Sequence, residues 1–214
     1  MIARWLPLVG IVLLLVIVCW RAWLQRRRHG ASGVLFLRSP RWPEKVRDAF
    51  GVLLVVLLLG QAVVAAVSPT ALARRDGIEP PVAAPWQVVG AGLLFGGIGL
   101  LVIALLDLGA SWRIGIDEQT RPGLVTSGLY RFCRNPIFSA ILVVLIGYTV
   151  LLPTGLSLAM LAGAFIGIRQ QVLTEEAYLS RTYGDAYHAY ASRVGRFLPG
   201  IGQLHMNRRR RAAP

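Results

Sequence analysis

Residues 137–168 read IFSAILVVLIGYTVLLPTGLSLAMLAGAFIGI, two apolar runs parted only by Pro153, Thr154 and Gly155. Each run, Ile137 to Leu152 and Leu156 to Ile168, has the composition of a membrane helix. A link this short makes the chain turn straight back, so the two runs form an antiparallel helix pair. That hairpin decides the fold, because whatever precedes the first run and follows the second must emerge side by side at one membrane face.

Three further apolar runs come before it. Trp5 to Leu24 is 20 residues long, the length that crosses about 30 Å of hydrocarbon at about 1.5 Å per residue. Arg26, Arg27 and Arg28 follow this run and only Arg4 precedes it, the reverse of a removable signal sequence, so a permanent helix is expected. A second run extends from about Ala49 to Ala73 and a third from about Trp86 to Leu108. The expected fold is all-α: a polytopic membrane helix bundle of about five transmembrane helices with a cytoplasmic carboxyl-terminal helical extension. Residues 1–110 read as a three-helix transmembrane part, 111–200 as a part built on the hairpin, and 201–214 as a basic tail expected to be disordered.

Composition agrees. Of 214 residues 55% are hydrophobic and only 15% charged, and the mean hydropathy of +0.59 exceeds what a soluble domain of this size tolerates. The formal charge of +13 does not point to nucleic acid, because the basic residues lie between and after apolar runs rather than along one polar surface. Only Lys45 among the 23 basic residues is a lysine; with the abundant alanine and glycine this is the coding bias of a GC-rich, bacterial genome. Cys19 falls in an apolar run and Cys133 in a basic stretch, so neither a disulfide nor a metal site is expected.

Charge also sets the expected orientation. With the loop after the first run inside, the outer side holds Arg4, Arg74 and Arg75, leaving 20 of the 23 basic residues internal. The amino terminus is then outside, and the carboxyl terminus, with Arg208 to Arg211, lies at the inner face of a bacterial cytoplasmic membrane.

Two polar clusters meet at the hairpin mouth. One runs from Ser111, Trp112 and Arg113 to Pro136. The other extends the last run and holds Arg169, Glu175, Glu176, Tyr178, Tyr183, Tyr187, Tyr190, Arg193 and Arg196. Asp107, at the inner end of the third run, opposes the helix dipole near the hydrocarbon edge and calls for a cationic partner, Arg113 or Arg134. The third run also carries Gly90, Gly92, Gly96, Gly97 and Gly99, which either let a neighbouring helix approach or leave a bare face for a flat cofactor.

Taken in order, Leu124-Val125-Thr126-Ser127-Gly128-Leu129-Tyr130-Arg131, Arg134-Asn135-Pro136, Glu175-Glu176, Tyr183-Gly184 with Tyr187, and Arg196-Phe197-Leu198-Pro199 resemble the carboxyl-terminal signature of the isoprenylcysteine carboxyl methyltransferase and phospholipid methyltransferase superfamily. The resemblance covers roughly residues 108–200. It implies an integral membrane, S-adenosylmethionine-dependent methyltransferase whose cofactor site is formed at the cytoplasmic face by Arg134, Asn135, Pro136, Glu175 and Glu176, with Gly97 and Gly99 as the counterpart of a contributing Gly-x-Gly. Asn135 stands where many members have histidine; its amide still offers a hydrogen-bond donor.

The residue chemistry fits such a cofactor. It presents a carboxylate, an ammonium, a sulfonium and an adenine, which an arginine or amide, a glutamate and the rings of Tyr130, Phe132 or Tyr187 can meet. The expected acceptor is a lipophilic small molecule or lipidated substrate entering from the bilayer and carrying a carboxylate, held by Arg113. Transfer to a carboxylate removes two opposite charges together and needs no base, whereas an amine of a phospholipid would need one, for which Glu176 is the candidate. An NADPH-dependent enzyme like the membrane sterol reductases is the alternative of another class. No glycine-rich dinucleotide fingerprint follows a strand pattern, which excludes the soluble methyltransferase fold.

Overall fold

The computed structural model describes residues 2–29, 42–68, 84–109 and 123–204. Five α-helices account for most of them: α1 Leu6–His29, α2 Trp42–Val67, α3 Ala84–Leu108, α4 Pro136–Leu151 and α5 Gly155–Ala191. By length and composition α1, α2, α3 and α5 can each cross a membrane, while α4 is apolar but shorter. Its 16 residues rise about 24 Å against about 30 Å of hydrocarbon. The chain is thus an integral membrane helix bundle. The second helix starts at Trp42, seven residues before the apolar run, since a helix can enter the interface on polar residues. The fifth does not stop at Ile168 but carries on to Ala191, well past the apolar stretch.

The hairpin forms as its sequence demands. Pro136 occupies the first position of α4, where its missing N–H leaves no hydrogen bond unmade. Thr154 caps α5, its hydroxyl accepting from the Ser157 amide at 3.0 Å. The turn is also tied to α2: Ser157 and Tyr148 both donate to the Gln61 side-chain oxygen at 3.1 Å, and Tyr148 donates to the Leu58 carbonyl at 2.8 Å. Such bonds satisfy polar groups that lipid cannot.

One apolar core draws on all five helices, among them Ile11, Leu58, Ala62, Leu94, Ile98, Val144, Tyr148, Met160 and Ala164. Between α3 and α4 the backbones touch. A Cβ added to Gly97 would lie 2.8 Å from the Val144 nitrogen, and Gly90 and Gly147 are packed as closely. Gly97 is therefore a packing residue, buried against α4, whereas Gly99 meets nothing and is exposed. The two do not share one cofactor face.

Candidate active site

The hairpin brings the two polar clusters together. Glu176 lies 21 residues beyond Gly155, about 32 Å along the helix, so it sits at the opposite membrane face from the Thr154 turn, level with the start of α4. There the segment before α4 pairs with the segment after α5. The Arg134 amide donates to the Gly195 carbonyl at 2.9 Å, the Asn135 amide to the Arg196 carbonyl at 3.2 Å, and the Ser139 hydroxyl to the Phe197 carbonyl at 2.7 Å. Gly195 is obligatory, because a Cβ there would run into the Leu198 carbonyl.

Three charged side chains, Arg134, Glu176 and Arg196, meet at the junction with the amide of Asn135. Arg134, Asn135 and Glu176 are buried. Arg134 donates through Nε and Nη2 to Glu176 Oε1 at 3.1 and 2.8 Å, through Nη2 to the Gly202 carbonyl at 3.1 Å, and through Nη1 to the carbonyls of Ala191 at 3.0 Å and of Val194. All five of its N–H groups are directed to the protein. Arg196 takes the other oxygen, Nε and Nη2 lying 3.0 and 2.9 Å from Glu176 Oε2, and its side chain is 25% exposed. Among the described residues its remaining N–H groups have no acceptor. Asn135 Nδ2 donates to Glu176 Oε1 at 3.4 Å and to the Arg196 carbonyl at 3.1 Å, while its Oδ1 accepts nothing from a described residue. Two guanidiniums around one carboxylate leave a positive charge uncompensated.

Tyrosines complete the wall. Tyr187 is buried, its hydroxyl approaches Arg134 without a hydrogen bond of full geometry, and it interacts electrostatically with Glu176, Arg134 and Arg196. Tyr190 donates to the Tyr130 carbonyl at 2.6 Å. Both tyrosines reach the site because α5 breaks at Gly184, where φ 50° and ψ −123° define a conformation that only glycine holds without strain. Burial pushes the Tyr130 hydroxyl well above its ordinary value, helped by the charge of Glu175, and burial likewise pushes the Cys133 thiol up against the opposing effect of Ser139.

The neighbouring acids are placed differently from each other. Asp107 accepts from the Leu129 amide at 2.8 Å, which caps the 3₁₀ turn Gly128–Arg131. Its described partner is thus a backbone N–H, not Arg134; Arg113 lies outside the described residues. Gly128, at φ 57°, leaves room for that carboxylate. Glu175 does not join Glu176: consecutive helix positions point about 100° apart, and Glu175 accepts from Gln171 and feels Arg47 of α2. Pro136 is buried at the start of α4, within the wall.

Of the residues that the sequence proposes for the site, Tyr130, Arg134, Asn135, Pro136, Glu176 and Tyr187 therefore converge, Glu175 acts through its charge on Tyr130 alone among them, and Gly97 and Gly99 stand apart. Arg196 is the residue that spacing did not single out. It lies in the Arg196-Phe197-Leu198-Pro199 motif, yet nothing in the chain's periodicity says that it folds back onto Glu176.

Residues 86–186 match the phospholipid methyltransferase family. The chain is 28% identical over 123 residues to a protein-S-isoprenylcysteine O-methyltransferase A of Arabidopsis thaliana, covering 54% of this chain and 61% of that protein. It is 31% identical over 123 residues to a probable protein-S-isoprenylcysteine O-methyltransferase of Oryza sativa subsp. indica, covering 63% of that protein. Over about half its length the chain is thus similar to isoprenylcysteine and phospholipid methyltransferases. It is also 29% identical over 106 residues to the cobalt-zinc-cadmium resistance protein CzcN of Cupriavidus metallidurans, covering 49% of each chain. The chain therefore spans less than two thirds of the curated relatives it matches.

Proposed function

We propose that this chain is a membrane methyltransferase that moves a methyl group from S-adenosylmethionine to a lipophilic acceptor bearing a carboxylate. One observation carries the reading: at the membrane face Glu176 is clamped by two arginines, of which Arg196 has N–H donors to spare, and the Tyr187 hydroxyl stands beside them. The plant relatives, named as isoprenylcysteine O-methyltransferases, support the acceptor class.

The residues present fit the amino-acid end of the cofactor. The surplus positive charge at Arg196 suits its carboxylate, and the open Asn135 Oδ1 suits its ammonium. When bound, the cofactor supplies a methyl group on a cationic sulfur. The chain itself orients and encloses. Arg134 is a positioning residue that holds residues 191–202 against the start of α4, Glu176 fixes both arginines, and Tyr130, Pro136 and Tyr187 wall off water. Glu175 forms the rim towards α2, Gly97 sets the helix spacing, and Arg113 is the proposed anchor of the anionic acceptor. Residues 111–200 thus hold the site and residues 1–110 its membrane frame, the amino terminus outside and the site at the inner face of a bacterial membrane.

The match to the phospholipid methyltransferase family supports a second reading, a nitrogen acceptor. It requires a base with a free oxygen, whereas both oxygens of Glu176 are already taken by arginines. Purified protein is incubated with methyl-labelled cofactor and native lipid extract, then treated with mild base. Label released as methanol establishes an ester; label retained in lipid points to nitrogen; no transfer, with stabilisation by NADPH and not by S-adenosylhomocysteine, overturns the methyltransferase reading.

A further inference from the structure

Among the described residues, every exposed large hydrophobic side chain lies on a helix except Phe132, Leu198 and Ile201, which are 49%, 56% and 63% exposed. Leu198 and Ile201 end a tight turn through Pro199 and Gly200, closed by the Ile201 amide donating to the Leu198 carbonyl at 3.2 Å, with Gly200 at φ 74°. Phe132 precedes Cys133, which bridges to Gly195 in the segment after α5, residues 191–202, that caps the site.

Two observations fix what covers this patch. The first is depth. The Phe197 carbonyl is bound by Ser139, in the first turn of α4. A helix of about 24 Å cannot carry its start clear of about 30 Å of hydrocarbon, so the turn beside it lies at the bilayer boundary rather than out in water. The second is charge. Residues 123–135 and 192–204 contain four arginines and no aspartate or glutamate, and Arg131 and Arg193 are exposed. Apolar tips rimmed by arginine are the chemistry of a surface seated in anionic headgroups.

We infer that the Leu198–Ile201 turn, with Phe132 beside it, dips into the headgroup region of an anionic bilayer and anchors the lip of the site there. The anchor is wired to the charged cluster. The Arg196 amide donates to the Ile201 carbonyl at 2.7 Å, and Arg134 donates to the Gly202 carbonyl at 3.1 Å. Lipid contact at the turn therefore holds both arginines at the depth where a lipophilic molecule would arrive. The inference does not depend on methyl transfer.

The test is nitroxide labelling of Leu198→Cys and Ile201→Cys in a Cys19→Ser background, in nanodiscs of phosphatidylcholine and phosphatidylglycerol. Cys133 is buried and stays in place. Phe165→Cys, on a lipid-facing stretch of α5, and Asp185→Cys, on its exposed extension, are the references. The ratio of collision with oxygen to collision with a water-soluble nickel complex should be several-fold higher at 198 and 201 than at 185, approach that at 165, and fall in discs of phosphatidylcholine alone. Ratios equal to that at 185 overturn the anchor, and so does protection from both reagents, which means a protein surface covers the turn. A ratio indifferent to phosphatidylglycerol overturns the anionic preference.

Discussion

Arg134 and Arg196 divide one carboxylate between them, the first holding Glu176 Oε1 and the second Oε2. Removing the carboxylate leaves two guanidiniums facing each other, one of them fully buried. Breaking a buried pair costs about 3–5 kcal/mol, so Glu176→Gln, which keeps the volume, should still lower thermal stability sharply in detergent. Equal melting of the variant and the parent would show that the clamp does not hold the cap.

The two arginines should separate cofactor affinity from stability. Arg134 has no donor to offer a ligand, so Arg134→Ala should loosen residues 191–202 and expose them to protease. Arg196 is a quarter exposed and has donors to spare, so Arg196→Ala should leave the protein folded and weaken S-adenosylhomocysteine. One lost charge-assisted bond of about 2 kcal/mol means roughly 30-fold in Kd. Calorimetric titration measures this; unchanged affinity in Arg196→Ala would sink its assignment.

How far the sequence reveals this site depends on what kind of signal carries each part. The hairpin was legible because Pro153-Thr154-Gly155 allows one geometry only, and that alone put Arg134 and Glu176 at the same face. The cap was not, because it is held by backbone bonds between residues 134–135 and 195–196, which leave no side-chain pattern. For the same reason Arg196 reads only as part of a motif, and nothing in the sequence shows that the Leu129 amide donates to Asp107. The Glu175-Glu176 pair looked like one unit in a string of letters, yet helical geometry sends the two side chains to different neighbours. Gly97 and Gly99 look alike in sequence, but only the packing of α4 shows that the first is filled.

Gly184 turns the end of α5 towards the site, so its conformation should matter although nothing crowds it. An added Cβ meets no atom within 4 Å, hence Gly184→Ala tests backbone strain alone. Holding alanine at φ 50° and ψ −123° costs of order 1–3 kcal/mol. The expected result is a lower melting temperature and faster proteolysis beyond residue 184, with Tyr187 and Tyr190 drawn away from the site. Wild-type behaviour would mean that α5 simply straightens at no cost.

Cys133 reports on the integrity of the same cap. Burial raises its thiol above the ordinary value, outweighing the lowering by the Ser139 hydroxyl, the Asn135 backbone and the Arg134 charge. The neutral thiol is therefore favoured in the folded state. Its contribution to stability is fully present below the unfolded thiol's value, about 8.5, and is lost as pH rises through the higher folded one. In a Cys19→Ser background, Cys133 should resist a charged alkylating reagent at pH 7.5 and become reactive only at distinctly alkaline pH. The Arg134→Ala variant, which opens the 191–202 segment, should bring the onset of alkylation down towards that of an ordinary cysteine. Rapid alkylation of the folded parent at neutral pH would show that the cap is open in solution.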